Sequence, residues 1–152
     1  MITLQCEKNL CKVIQRLFKT LSLDVKISNF SDKQSDILLL RNSVDFKSPD
    51  ARYIIVNSDD KELIKKIKGT KNKVITCGFS TRSTVTLSSI SDSEYVVCLQ
   101  RSVKSVSGKV ISPFETPVLL DGLEFDDVSI LMMITAAMMC DANPELLKNI
   151  YL

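Results

Sequence analysis

The chain has 152 residues, of which 45% are hydrophobic and 25% charged, a size and balance that suit one folded domain over 1–152 and exclude wholesale disorder. Twenty basic residues face 18 acidic ones, and a net charge of +2 leaves no electrostatic footprint for nucleic acid or an acidic membrane surface. Histidine is absent and glycine occurs 4 times, which excludes imidazole bases, histidine-ligated metal and an intact glycine-rich phosphate loop.

In chain order, Ile2 to Gln5 reads as a short strand. From Cys6 to Leu21 the apolar residues fall at 6, 10, 13, 14, 17, 18 and 21, one stripe of a helix. Asp24 to Ser28 alternates as a strand does, and 35–41, 53–57 and 73–77 are continuous apolar runs, the pattern of strands covered on both faces. A helix capped by Ser58 or Asp59 is expected through Lys68, stopped by Gly69. After Gly78 the texture changes to alternation at 84–88, 95–100 and 109–112, which predicts antiparallel strands in a small hairpin layer near residues 84–118. Pro113 and Pro117 suggest an edge or exit loop. A helix apolar nearly all round is expected from about Asp126 to Cys140, then a short one with Asn143 as cap and Pro144 at its first position. The sum is an α/β domain with a mostly parallel sheet flanked by helices.

The five cysteines, at 6, 11, 77, 98 and 140, form no CxxC pair and read as free thiols of a reducing cytoplasm rather than a zinc or redox site. The amino terminus has neither the basic start nor the apolar stretch of a signal peptide, and the longest apolar run, Val128 to Cys140, is too short to span a bilayer, so no membrane insertion is expected. Met132, Met133, Met138 and Met139 read as core filler. Lys61, Lys65, Lys66, Lys68, Lys71 and Lys73 read as a solvated face, and Arg82 and Arg101 as surface charges near turns.

Three stretches together resemble the central, ATP-binding domain of the Mur ligase family: Tyr53-Ile-Ile-Val-Asn-Ser-Asp-Asp60, Lys73-Val-Ile-Thr-Cys-Gly-Phe79 with the hairpin region after it, and Val118 to Gly122 followed by the Ala136–Glu145 ending. The resemblance implies a P-loop or Rossmann-like sheet and kinship with enzymes that join amino acids to a UDP-muramyl peptide. Ile2-Thr-Leu-Gln-Cys-Glu-Lys-Asn9 falls where that family has its phosphate loop; Ile2, Thr3 and Lys8 match, while Leu4 and Glu7 replace both glycines and Asn9 replaces the hydroxyl residue. Glycines there let backbone donors close around phosphate, and a hydroxyl holds Mg²⁺. Leu4 adds bulk, and Glu7 adds a like charge worth about 4 kcal/mol of repulsion at roughly 4 Å near a protein surface. The family's His-Asn pair cannot be complete; Glu124 to Asp127 stands in that neighbourhood. The stretch between Asn29 and Ala51 is too short for the family's metal-binding middle portion, and its two flanking domains have no counterpart here.

The residues singled out for nucleotide contact are Asn57, placed by the resemblance near an adenine, with Asp59 and Asp60 beside it and Lys8 at the loop. The competing reading makes Asn57 a strand end, the two aspartates helix-capping groups, and Lys8 a solvated lysine. Two functions are carried forward. One is a non-catalytic binding or scaffolding module that touches an active Mur-type ligase or a muramyl ligand and needs no cofactor. The other is an ATP- or nucleotide-binding subunit of a ligase-type enzyme that completes its site in a complex; at most weak ATP binding is expected of the chain alone.

Overall fold

The computed structural model describes residues 1–43, 50–91, 94–121 and 125–151. Five strands, β1 (Ile2–Cys6), β2 (Val25–Asn29), β3 (Ser35–Leu40), β4 (Ala51–Asn57) and β5 (Lys73–Cys77), pair in parallel in the order β2-β1-β3-β4-β5. This is a doubly wound order, and its direction of growth reverses at β1. Helix α1 (Lys8–Thr20) links β1 to β2, and α2 (Lys61–Ile67) links β4 to β5.

Alternation along the strands sorts the two faces. Leu4, Cys6, Ile37, Leu39, Tyr53, Ile55, Ile75 and Cys77 pack with Leu10, Ile14, Leu17 and Phe18 of α1. Leu38, Leu40, Ile54 and Val56 point the other way, onto Leu63 and Ile67 of α2. The larger core is completed by α3 (Asp127–Met139), in which every residue from Val128 to Met139 is buried. The four methionines are therefore core, as their sequence pattern suggested. The six lysines between 61 and 73 are exposed.

The connection from β2 to β3 is the unusual one. Parallel neighbours normally need a crossover of a dozen or more residues, most often a helix. Here residues 30–34 suffice. Five extended residues reach roughly 17 Å, about the length of a five-residue strand such as β1. The segment runs as a strap over β1, and Gln5, buried on that face, holds it: Gln5 Nε2 donates to Ser31 Oγ (3.1 Å) and to the Lys33 carbonyl (2.8 Å), and Ser31 N donates to Gln5 Oε1 (3.1 Å).

The antiparallel strands continue the main sheet. Strand β6 (Val85–Ile90) joins β5 in parallel at one position, Cys77 with Val85, and pairs antiparallel with β7 (Glu94–Leu99). The expected third partner near 110 lies elsewhere: β9 (Val110–Ile111) pairs with β8 (Val103–Lys104) in a separate two-stranded sheet. The third antiparallel strand is β10 (Phe114–Asp121), over the segment that its two prolines suggested was an edge or an exit loop, and of these the edge is the one found. Strand β11 (Asn149–Tyr151) meets β10 only at 119–121, so Pro117 sits on an open edge where a missing N–H costs no ladder bond. Helix α4 (Pro144–Leu147) has the expected cap, Asn143 Oδ1 accepting from Glu145 N at 3.0 Å. Among the described residues, no helix is long and apolar enough to cross a membrane.

Gln5→Ala removes all three side-chain bonds to the strap and should cost about 1–3 kcal/mol, read by urea denaturation. A change under about 0.5 kcal/mol, the size of an ordinary surface substitution, would show that the strap does not depend on Gln5.

Candidate functional site at the carboxyl edge

In doubly wound sheets ligands bind beyond the carboxyl ends of the strands, at the switch point. The residues that directly follow β1 and β3 there are Glu7 and Arg41. Their side chains are ion-paired, Arg41 Nη2 to Glu7 Oε1, and are only 21% and 14% exposed. Arg41 Nη1 donates to Ser129 Oγ at 3.3 Å and lies 3.8 Å from Asp126 Oδ1, at the start of α3. Ser129 Oγ in turn donates to Asp126 Oδ1. The Arg41 guanidinium carbon lies 6.0 Å from the centre of the Phe125 ring. Glu7 is also the N-cap residue of α1. The helix dipole favours negative charge there, but the carboxylate makes no capping hydrogen bond to α1 and turns instead to Arg41.

The residues that resemble the phosphate loop are distributed accordingly. Leu4 is fully buried in the α1 core. Lys8 is the first residue of α1 and is exposed. Asn57, at the end of β4, uses both ends of its amide: Nδ2 donates to the Arg41 carbonyl (3.3 Å) and Oδ1 accepts from Asp59 N (3.0 Å). The cap of α2 is Asp60, not Ser58 or Asp59. Asp60 Oδ1 accepts from Leu63 N at 3.0 Å, and Oδ2 accepts from Ser43 N at 3.1 Å. Ser58 instead turns to β5 and the loop after it, bonding the Cys77 carbonyl (3.0 Å) and Ser83 Oγ (2.9 Å). Asp59 Oδ2 accepts from Phe79 N at 3.2 Å. A Cβ at Gly78 would stand 2.5 Å from Ser58 Oγ and 2.7 Å from Asp59 Oδ1, so a larger residue there would have to displace these two side chains.

Asn57, Asp59 and Asp60 thus lie together at the carboxyl end of β4, and Lys8 lies at the end of β1 with β3 between. Glu124 and Gly122 lie outside the described residues. Sequence reasoning missed Arg41. The signal available was its place: a cation directly after a continuous apolar strand stands where such sheets bind ligands.

Cys6 and Cys11 are free, buried thiols whose sulfurs lie 3.2 Å apart. Burial pushes Cys77 and Cys140 up to about 12, and Cys6 is raised by burial and by Cys11 beside it, so these groups stay protonated at neutral pH. Among the described residues no group of three or more His, Cys, Asp or Glu is placed to hold a metal ion. The chain matches no protein-family model, and no curated protein matches it.

The bonding pattern separates the two aspartates. Asp60→Ala removes a cap and the Ser43 contact and should cost about 1–2 kcal/mol, whereas exposed Asp59→Ala should cost less than about 1. Equal costs in urea denaturation would contradict the assignment of Asp60 as the cap.

Proposed function

We propose that this chain is a degenerate relative of the Mur ligase central domain, without ligase activity, acting as a binding or scaffolding module in the cytoplasm. The reading rests first on one observation, the Glu7–Arg41 pair seated on the switch point. In a working phosphate loop that space belongs to the nucleotide. Here the carboxylate that follows β1 is paired with the guanidinium that follows β3, which is also held at the start of α3. Leu4 supports the reading, since its side chain belongs to the core and the loop backbone carries it in place of a glycine. Asn9, which follows Lys8, has no hydroxyl for Mg²⁺. The free thiols fit a reducing compartment. The partner that the resemblance suggests is an active cell-wall ligase or its muramyl ligand.

The second reading, a nucleotide-binding subunit, draws on Asn57. That amide is engaged on both sides within the chain. A residual adenine contact would contribute about 1–3 kcal/mol, whereas micromolar affinity needs about 8. Titration calorimetry with Mg-ATP should therefore show no binding tighter than about millimolar. Micromolar affinity that Lys8→Ala abolishes would overturn the proposal in favour of the nucleotide-binding subunit.

A further inference from the structure

The crossover without a helix leaves the outer face of β1 and β2 uncovered. A groove of about 310 Å³ lies there, lined by Thr3, Gln5, Lys26, Ser28 and residues of the strap. No carboxylate lines it. Its hydrogen-bonding groups divide unevenly. Three of the acceptors are committed inside the chain, while among the described residues the Gln34 amide and the Ser28 hydroxyl are not: Gln5 Oε1 takes Ser31 N (3.1 Å), Asn29 Oδ1 takes the Cys11 thiol (3.1 Å), and Ser31 Oγ takes Gln5 Nε2 (3.1 Å) and Lys33 N (3.3 Å). The donors are not. Among the described residues the ammonium groups of Lys26 and Lys33, the Ser28 hydroxyl and Asn29 Nδ2 have no partner, and the Ser31 proton is left free by a doubly accepting oxygen. Of the acids nearby, Asp36 is already engaged by Thr3 N (2.9 Å), by Thr3 Oγ1 (3.1 Å) and by Arg52 (3.5 Å), while Asp32, exposed in the strap, does not line the groove. Free donors outnumber free acceptors in the groove, no carboxylate lines it, and two lysines supply the positive charge that an anion would meet.

We propose that this groove is an oxyanion site for a phosphoryl group, either free phosphate or the phosphate of a small metabolite. It lies on the sheet face and not at the carboxyl edge, so it stands independently of the reading given above for Glu7 and Arg41.

The test is an amide-resolved NMR titration of the full chain with inorganic phosphate and, separately, ribose 5-phosphate, each against sodium chloride at matched ionic strength. Saturable shifts confined to residues 3–5 and 26–34 are expected, and the tighter ligand identifies the source. Lys26→Gln/Lys33→Gln, two exposed positions, should weaken binding about tenfold or more, while Lys65→Gln/Lys66→Gln on α2 should leave it unchanged. Shifts no larger than those with chloride, shifts spread equally over the lysines of 61–73, or binding indifferent to the Lys26/Lys33 change would each overturn the proposal.

Discussion

The carboxyl edge of this sheet is organised by one ion pair. Glu7 and Arg41 each follow directly on a central parallel strand, β1 and β3, and they meet where the order of the sheet reverses. Because both are largely withdrawn from water, neither charge can be left alone. Removing one partner of such a pair typically costs about 3–5 kcal/mol, while the intact pair adds little net stability. What the pair contributes is placement. Arg41 also holds Ser129 and approaches Asp126, so the start of α3 is tied to the ends of β1 and β3. Asn57 bonds the Arg41 carbonyl, so the end of β4 is tied to the same point. A charge network of this kind fills the crevice that the fold would otherwise offer to an anion.

A second constraint acts at the amino-terminal side of the fold. A five-residue crossover forces the chain to lie flat on β1, and flat backbone over a sheet face must find partners for its polar groups. A strand residue there could not be apolar without orphaning Ser31 N and the Lys33 carbonyl. Gln5, with a donor and an acceptor on one planar group, serves both. The same short crossover leaves Lys26 and Ser28 uncovered, so the open groove and the buried glutamine have a common cause.

Much of this architecture was legible in the sequence. Continuous apolar runs at 35–41 and 53–57 marked central parallel strands, because a strand covered on both faces has no polar side; the run at 73–77 is also a parallel strand, but Lys73 and Val74 are exposed, so it is not covered on both faces. The stripe from Cys6 to Leu21 marked α1, although Cys6 itself closes β1, and all-round apolarity marked α3 as buried. Other features resisted. Strand β10 was hidden by Pro117, whose cost depends on which side of the strand is unpaired, a fact of the sheet rather than of the sequence. The cap of α2 differed by one residue, since Ser58, Asp59 and Asp60 are all competent caps and only their tertiary partners distinguish them. The Glu7–Arg41 pair joins residues 34 apart in sequence. A lone charge after each strand gives no local sign that the two will meet. Gln5 likewise reads as an ordinary strand residue until the strap is seen to cross it.

The most direct test of a filled switch point is a double-mutant cycle on Glu7→Gln and Arg41→Met, read by urea denaturation. Coupled partners in one network should show an interaction energy of about 2 kcal/mol or more, with the double variant far less destabilised than the sum of the singles. Additivity within about 0.5 kcal/mol would mean that the two charges do not act together, and the crevice would then be open to a ligand.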